Sequence, residues 1–334
     1  MQYRRFGRTG LNISALTFGG GWVGGLLIDS AQDVSNQALN NACAAGINWV
    51  DTASSYGDGV SETVIGRWLK TRTETDHPYL STKFRVDPAK PDLAGQMRQS
   101  VEASLGRLQL SKVNVLWLHN QILADDSATE EGPRGIHLSR VIGKNGIADA
   151  MDKLRSEGIC DHIGFTGLGE APGVVAVADS GSFDAVQAYY NMINPSAGWT
   201  KAPAGWNTTD FAGLLETTQK RDLGVMTIRI FAAGHLATKV RHGREWPVTE
   251  NSSNEAEEAR AEAVWAALGN SYGTPAQTAL RFGLGNPALS TIEVGMAQME
   301  HLEQALAAEV AGPLPAATMA TLRKLWEHHK AFVG

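Results

Sequence analysis

The chain has 334 residues, 43% hydrophobic and 19% charged, the make-up of a soluble globular protein and enough for one large α/β barrel or two smaller domains. Its formal charge of -6 is spread along the chain with no basic block, so nucleic acid is not an expected partner. No apolar run reaches membrane-span length. The opening MQYRRFGRTG has no apolar signal core, so a cytoplasmic protein is expected, with Cys43 and Cys160 as reduced thiols rather than a disulfide.

In chain order, YRRFGRTGLNIS alternates around a Gly-rich middle and predicts a short β-hairpin. A rhythm of short apolar strand, turn and longer amphipathic helix then repeats. Strands are predicted near residues 15–18, 49–51, 79–83, 113–119, 162–166, 185–189, 224–228 and 289–294. Helices are predicted near 30–45, 61–70, 92–108, 146–157, from 172, then 210–221, 255–268, 275–283, 299–308 and 317–329. Val34, Ala38 and Ala42 lie at helical spacing before the stop at Gly46, and Ser61 with Glu62 suits a helix start. Eight strand–helix units with no dividing linker predict one domain over residues 1–334, a (β/α)8 TIM barrel with an N-terminal β-hairpin and extra C-terminal helices. Three long connections, 120–145, 191–209 and 232–254, follow strands and therefore fall on the barrel's C-terminal face, where barrels keep functional loops.

Three consecutive strands break off at polar groups: Asp51 and Tyr56 in WVDTASSYG, Lys83 in YLSTKF, and His119 in VNVLWLHN. Neighbouring barrel strands lie about 4.8 Å apart, so these ends share one rim. Asp51 and Lys83 can pair there, and Tyr56 can fold back over them through a loop containing Gly57. An ammonium beside a phenol lowers the phenol's pKa, which makes Tyr56 a general acid for reduction and a base for oxidation. His119 can orient a carbonyl. No activated nucleophile is in view, and side chains cannot supply hydride, so a nicotinamide cofactor is implied. Taken singly, an Asp–Lys pair at a rim is often structural and a buried histidine is usually only hydrogen-bonded. The reading rests on all four occurring together.

The stretches FGRTGLNISALTFGGG, NWVDTASSYGDGVSETVIGRWL, STKF, LWLHN, VQAYYNMIN and ALRFGLGNPALSTIEVG resemble the aldo-keto reductase family over nearly the whole chain. The resemblance implies Asp51, Tyr56, Lys83 and His119 as the catalytic tetrad, with NAD(P)H delivering hydride and the tyrosine a proton. It also implies that Gln187 holds the nicotinamide carboxamide. The family's Ser-Asn after the fifth strand is here Thr166-Gly167, which keeps a hydroxyl and loses an amide. Ile228 stands where a stacking tyrosine is usual, and Tyr190 is a candidate substitute, although a core role is the more common explanation for such an aromatic. Arg229-Ile230 replaces Ser-Pro, and Arg229 is placed to meet the cofactor pyrophosphate or to make a rim salt bridge. After the eighth strand, Gly295 to His301 contains no Lys or Arg. Backbone near Gly295 and Gln298 can still meet a phosphate at a helix start, with Gln298 and His301 near the ribose, so the cofactor is NADP or NAD.

Gly19-x-Gly21-x-x-Gly24 also fits the GxGxxG of a Rossmann dehydrogenase. No helix opens directly behind it, and Asp51 lies too far on for the ribose-binding acid. A regulatory or structural nucleotide-binding protein of the same fold is the other alternative, and the intact tetrad argues against it. The nine histidines show no zinc spacing. The substrate, a small carbonyl compound or sugar, is expected among the long loops with Trp22, Tyr56, Trp199, Trp206, Phe231, His235 and Trp246. Asn120 and Asn191 are placed for its hydroxyls. Oligomeric state is not legible.

Overall fold

The computed structural model describes every residue except Trp22, His242, Glu250 and Asn251. Eight parallel strands close into a barrel: β1 (Leu16–Gly19), β2 (Trp49–Asp51), β3 (Tyr79–Phe84), β4 (Val113–Leu118), β5 (Cys160–Gly167), β6 (Ala185–Tyr189), β7 (Gly224–Ile228) and β8 (Thr291–Gly295). Closure joins β8 to β1 in the register Glu293 opposite Thr17 and Gly295 opposite Gly19. These are the strands expected from the sequence, with ends moved by a few residues. They read as near-continuous apolar runs because both faces of a barrel wall are covered.

Helices pack around the wall after each strand, among them Gln32–Ala44, Val60–Leu69, Leu93–Leu108, Ile147–Ser156, Ala171–Asp179 and Met299–Ala311. Two helices, Asn254–Leu268 and Pro275–Leu284, separate β7 from β8, and Ala316–His328 closes the described fold. The start of Pro275–Leu284 is written in the sequence. Thr274 accepts from the Gln277 amide, the Gln277 side chain bonds back, and Pro275 takes the first turn. The helix expected from residue 210 begins only at Leu214, after Gly213 in the left-handed region. The connection 120–145 is more ordered than expected. It holds a parallel pair, Gln121–Leu123 with Gly135–His137, and a short helix, Leu138–Ile142.

The N-terminal hairpin pairs Tyr3–Arg5 with Asn12–Ser14 and inserts Phe6 into the barrel's N-terminal end, its ring 4.9 Å from Trp49 and 6.5 Å from Trp117. Phe6, Ile13, Trp49, Val115, Trp117, Ala185 and Met226 form an apolar plug there, apart from the larger core between wall and helices. With that end sealed, polar side chains on the same inward faces one step further along can look only to the C-terminal mouth.

The glycines of the GxGxxG stretch serve the barrel. A Cβ on Gly24 would lie 2.2 Å from the Met296 carbonyl, so this residue lets the first loop press against the end of β8. A four-residue helix, Leu26–Asp29, does open directly behind the glycines, contrary to expectation, but the next long helix starts only at Gln32, and the closed barrel removes the Rossmann reading.

Candidate active site

Alternation along the strands selects the side chains that enter the mouth. On β3, Leu80 and Phe84 join the outer core, Thr82 bonds outward to Glu62, and Ser81 and Lys83 face inward. The Trp49 indole donates to Ser81 Oγ at 2.8 Å, and Ser81 donates to Asp51 Oδ1 at 2.5 Å. Asp51 and Lys83 are 0% and 1% exposed, and they form an ion pair. Lys83 Nζ also donates to the Thr52 carbonyl at 2.9 Å and to Tyr56 Oη at 3.0 Å. All its donors are thereby used, as a buried ammonium requires. The loop carrying Tyr56 is tied to β3 by Thr52 N–H donating to the Ser81 carbonyl (2.9 Å) and Ser54 N–H to the Lys83 carbonyl (3.2 Å). Behind the wall, Glu62 receives both Thr82 and Arg107, the latter at 2.7 Å, which fixes the strand that presents Lys83.

His119 continues the inward phase of β4, and its ring meets that of Tyr56 edge-on at 6.1 Å. Arg85 caps it, with Nε donating to the His119 carbonyl at 3.1 Å and Nη2 3.5 Å from its Nε2. Burial, then Arg85, Lys83 and Arg229, hold the His119 pKa well below its ordinary value, so at neutral pH the imidazole is uncharged. It can then donate one hydrogen bond to an oxygen. The expected lowering of the Tyr56 pKa is reversed. Burial pushes it up to about 12, Lys83 pulls it down, and Glu293 and Asp51 add to the rise. One ammonium does not offset desolvation plus two carboxyls, so the phenol keeps its proton at neutral pH. Desolvation opposes the charge on Lys83, but Asp51, Tyr56 and Glu293 outweigh it and raise its pKa.

Glu293 was not anticipated. It sits on β8 in the inward phase of Thr291, whose hydroxyl lies 2.8 Å from that of Thr17. Its carboxyl meets Asp51 and faces Lys83 and Arg229. Burial, then Asp51, pushes its pKa up to about 8. The signal in the sequence was a carboxylate in the middle of the apolar run STIEVG.

Other expected site residues are placed elsewhere. Asn120 is fully buried and clamps Val86, accepting from its N–H at 3.0 Å and donating to its carbonyl at 2.8 Å, so it does not line a substrate pocket. Asn191 is also buried; it accepts from the Ile193 and Asn194 N–H groups and donates to the Arg229 carbonyl. Each of these amides is consumed by turning a loop. Trp199 packs on Trp206 and Trp326, and Trp206 stacks on Phe332, so these indoles bury the C-terminal segment instead of forming a mouth. His235 is buried against Asn254, and Phe231 packs on the core. Trp246 is 60% exposed. Tyr190 stacks on Phe282 at 5.0 Å and is a core aromatic, not a substitute for the missing tyrosine at Ile228. Trp22 lies outside the described residues.

On the side expected for a nucleotide, Thr166 Oγ1 donates to Gln187 Oε1 at 3.2 Å, and Gln187 Nε2 lies 3.4 Å from both Asp51 Oδ1 and Met226 Sδ. Thr166 and Gln187 thus form a polar layer directly beneath the Lys83 cluster. Arg229 has φ of 57°, a region that costs a non-glycine residue energy and is kept where the surroundings enforce it. Its guanidinium donates to the Trp246 carbonyl at 3.1 Å. Around Gly295 a Cβ would meet nothing within 4 Å. This open approach leads to the N-terminus of Met299–Ala311, a ready anion site. Gln298 caps that helix without a side-chain bond, while the Ala297 N–H donates to His301 Nδ1 at 3.1 Å. The open backbone and the helix N-terminus fit the phosphates of a dinucleotide.

Residues 15–327 match the Aldo/keto reductase family. L-galactose dehydrogenase of Arabidopsis thaliana is 28% identical over 313 residues, covering 92% of this chain and 88% of that protein. Aldo-keto reductase ausK of Aspergillus calidoustus is 34% identical over 122 residues, covering 33% of this chain and 30% of its own. Among solved structures, aldo-keto reductase AKR11C1 from Bacillus halodurans in its holo form superposes with a TM-score of 0.72 at 19% identity, over 100% of this chain and 98% of that one. At that identity the likeness speaks to the barrel fold.

Proposed function

Since the chain belongs to the aldo/keto reductase family, and is therefore an oxidoreductase acting between carbonyls and alcohols with NADP or NAD, we propose that Tyr56 is its proton donor and acceptor. A bound reduced nicotinamide would supply the hydride for reduction, and the Tyr56 phenol gives its proton to the carbonyl oxygen. Oxidation runs the same two transfers backwards. Neutral His119 donates a hydrogen bond to that oxygen and turns the carbonyl toward the phenol. Lys83, neutralised by Asp51, steadies the phenolate that remains. One observation carries this reading: Lys83 Nζ bonds Asp51 and Tyr56 at once, at the open end of the barrel.

Thr166 and Gln187 would meet the nicotinamide carboxamide, Arg229 the pyrophosphate, and Gly295, Gln298 and His301 the adenosine end. The name of the Arabidopsis relative makes L-galactose the first sugar to test and favours a sugar over an aromatic aldehyde.

The experiment is Tyr56→Phe, which keeps the ring that faces Lys83 at 4.6 Å and removes only the exchangeable proton. Turnover should fall by at least about 100-fold, followed by nicotinamide absorbance with L-galactose or a reactive aldehyde. Cofactor affinity, followed by fluorescence, should be unchanged. Turnover retained in Tyr56→Phe would remove the phenol from the reaction. A wild-type protein that binds cofactor but acts on no carbonyl or sugar would support a non-catalytic descendant of the family.

A further inference from the structure

Glu293 stands outside the four expected side chains, yet it is built into their cluster. Four elements converge on it. From β2 comes Asp51, which its carboxyl touches; from the following loop, Tyr56; from β3, Lys83; and from the end of β7, Arg229. The fifth neighbour, β1, makes room. A Cβ on Gly19 would sit 3.0 Å from Glu293 Cγ and 3.0 Å from the Val294 carbonyl, so glycine there gives the glutamate stem room to enter the mouth without crowding. A carboxylic acid beside a carboxylate already claimed by an ammonium has one favourable arrangement. It keeps its proton and donates it in a hydrogen bond.

We infer that Glu293 is a fifth, positioning member of the cluster: protonated at neutral pH, it donates to Asp51, and on losing that proton it sets a negative charge facing Tyr56. The inference rests on the reading of Tyr56 as the proton donor. While Glu293 is neutral, Asp51 and Lys83 balance and the phenol feels little net charge. Once it ionises, the phenolate becomes harder to form. Reduction starts from the phenol, which then stays protonated over a wider pH range. Oxidation, which needs the phenolate, is restrained at alkaline pH. The half-buried carboxyl thereby moves upward the pH range in which oxidation can start from the phenolate.

Glu293→Gln keeps the shape and a donor for Asp51 but cannot ionise, and two readouts test it. The first needs no turnover. A carboxyl whose pKa is higher in the folded than in the unfolded chain contributes stability that is present at low pH and is lost as pH rises through the folded value. The wild type should therefore lose stability relative to Glu293→Gln between about pH 5 and pH 8, measured by denaturant unfolding. A constant difference across that range overturns the inference. The second is the pH profile of kcat/KM for alcohol oxidation. Its alkaline midpoint should drop by about one unit or more in Glu293→Gln, the scale of one neighbouring charge. Superimposable profiles would reduce Glu293 to a structural residue and overturn the inference as well. Absence of turnover in both proteins with the stability difference intact would instead sink the reading of the site while upholding the shared proton.

Discussion

Replacing Lys83 by methionine tests how the cluster is held together. Methionine keeps the apolar stem and removes three contacts: the Asp51 pair, the 2.9 Å bond to the Thr52 carbonyl and the 3.0 Å bond to Tyr56. Asp51, with 0% exposure, is left with Ser81, the neighbouring Glu293 carboxyl and a 3.4 Å approach from Gln187. Breaking a buried pair from one side costs about 3–5 kcal/mol, because a charge is stranded, whereas removing both charges is nearly neutral. Lys83→Met should thus lose about 3–5 kcal/mol, and the Asp51→Asn/Lys83→Met double variant should regain most of it. Asp51→Asn alone should be the milder single change, because Glu293 is at hand to ionise and take over the ammonium. In Lys83→Met the two carboxyls Asp51 and Glu293 face each other without their shared cation, so a proton is favoured between them. A folded-state pKa raised in this way means that the penalty shrinks as pH falls and grows as pH rises. Denaturant unfolding of the four proteins at two pH values measures all of this. Single costs that add to within about 0.5 kcal/mol, or a Lys83→Met penalty that does not respond to pH, would refute the argument.

Other outcomes are expected around the mouth. His119 should remain neutral across about pH 5–8 in an imidazole NMR titration, since burial and three cations oppose its charge. Arg85→Gln should move its titration upward, and an unchanged titration would mean that Arg85 does not act on it. At the adenosine end, Gln298→Arg puts a cation at a helix start that has none in Gly295 to His301. It should tighten NADPH by about tenfold, or about 1.4 kcal/mol, and leave NADH unaltered in fluorescence titration. Equal gains for both cofactors would show that the ribose phosphate is not bound there.

Local pattern was enough for much of this protein. Period-two alternation and polar strand ends in WVDTASSYG, YLSTKF and VNVLWLHN were sufficient to place Asp51, Tyr56, Lys83 and His119 at one rim, because the side-chain direction along a strand is a property of the backbone alone. The capping of Pro275–Leu284 by Thr274 and Gln277 is equally local. Asn120 and Asn191 look in sequence like groups for a ligand, but only the folded loops show that backbone amides and carbonyls already occupy them. Trp199 and Trp206 look like the walls of a mouth until the C-terminal segment packs on them.

Two results belong to tertiary structure by their nature. The direction of the Tyr56 shift is a balance between burial, one ammonium and two carboxyls, and no spacing of letters reveals how much water is excluded. Glu293 reaches Asp51 only because β8 closes against β1 and brings the last strand of the barrel beside the first. The sequence determined which residues face inward on each strand. Barrel closure decided which inward faces meet, because contacts between strands distant in the chain depend on shear and register that no single strand encodes.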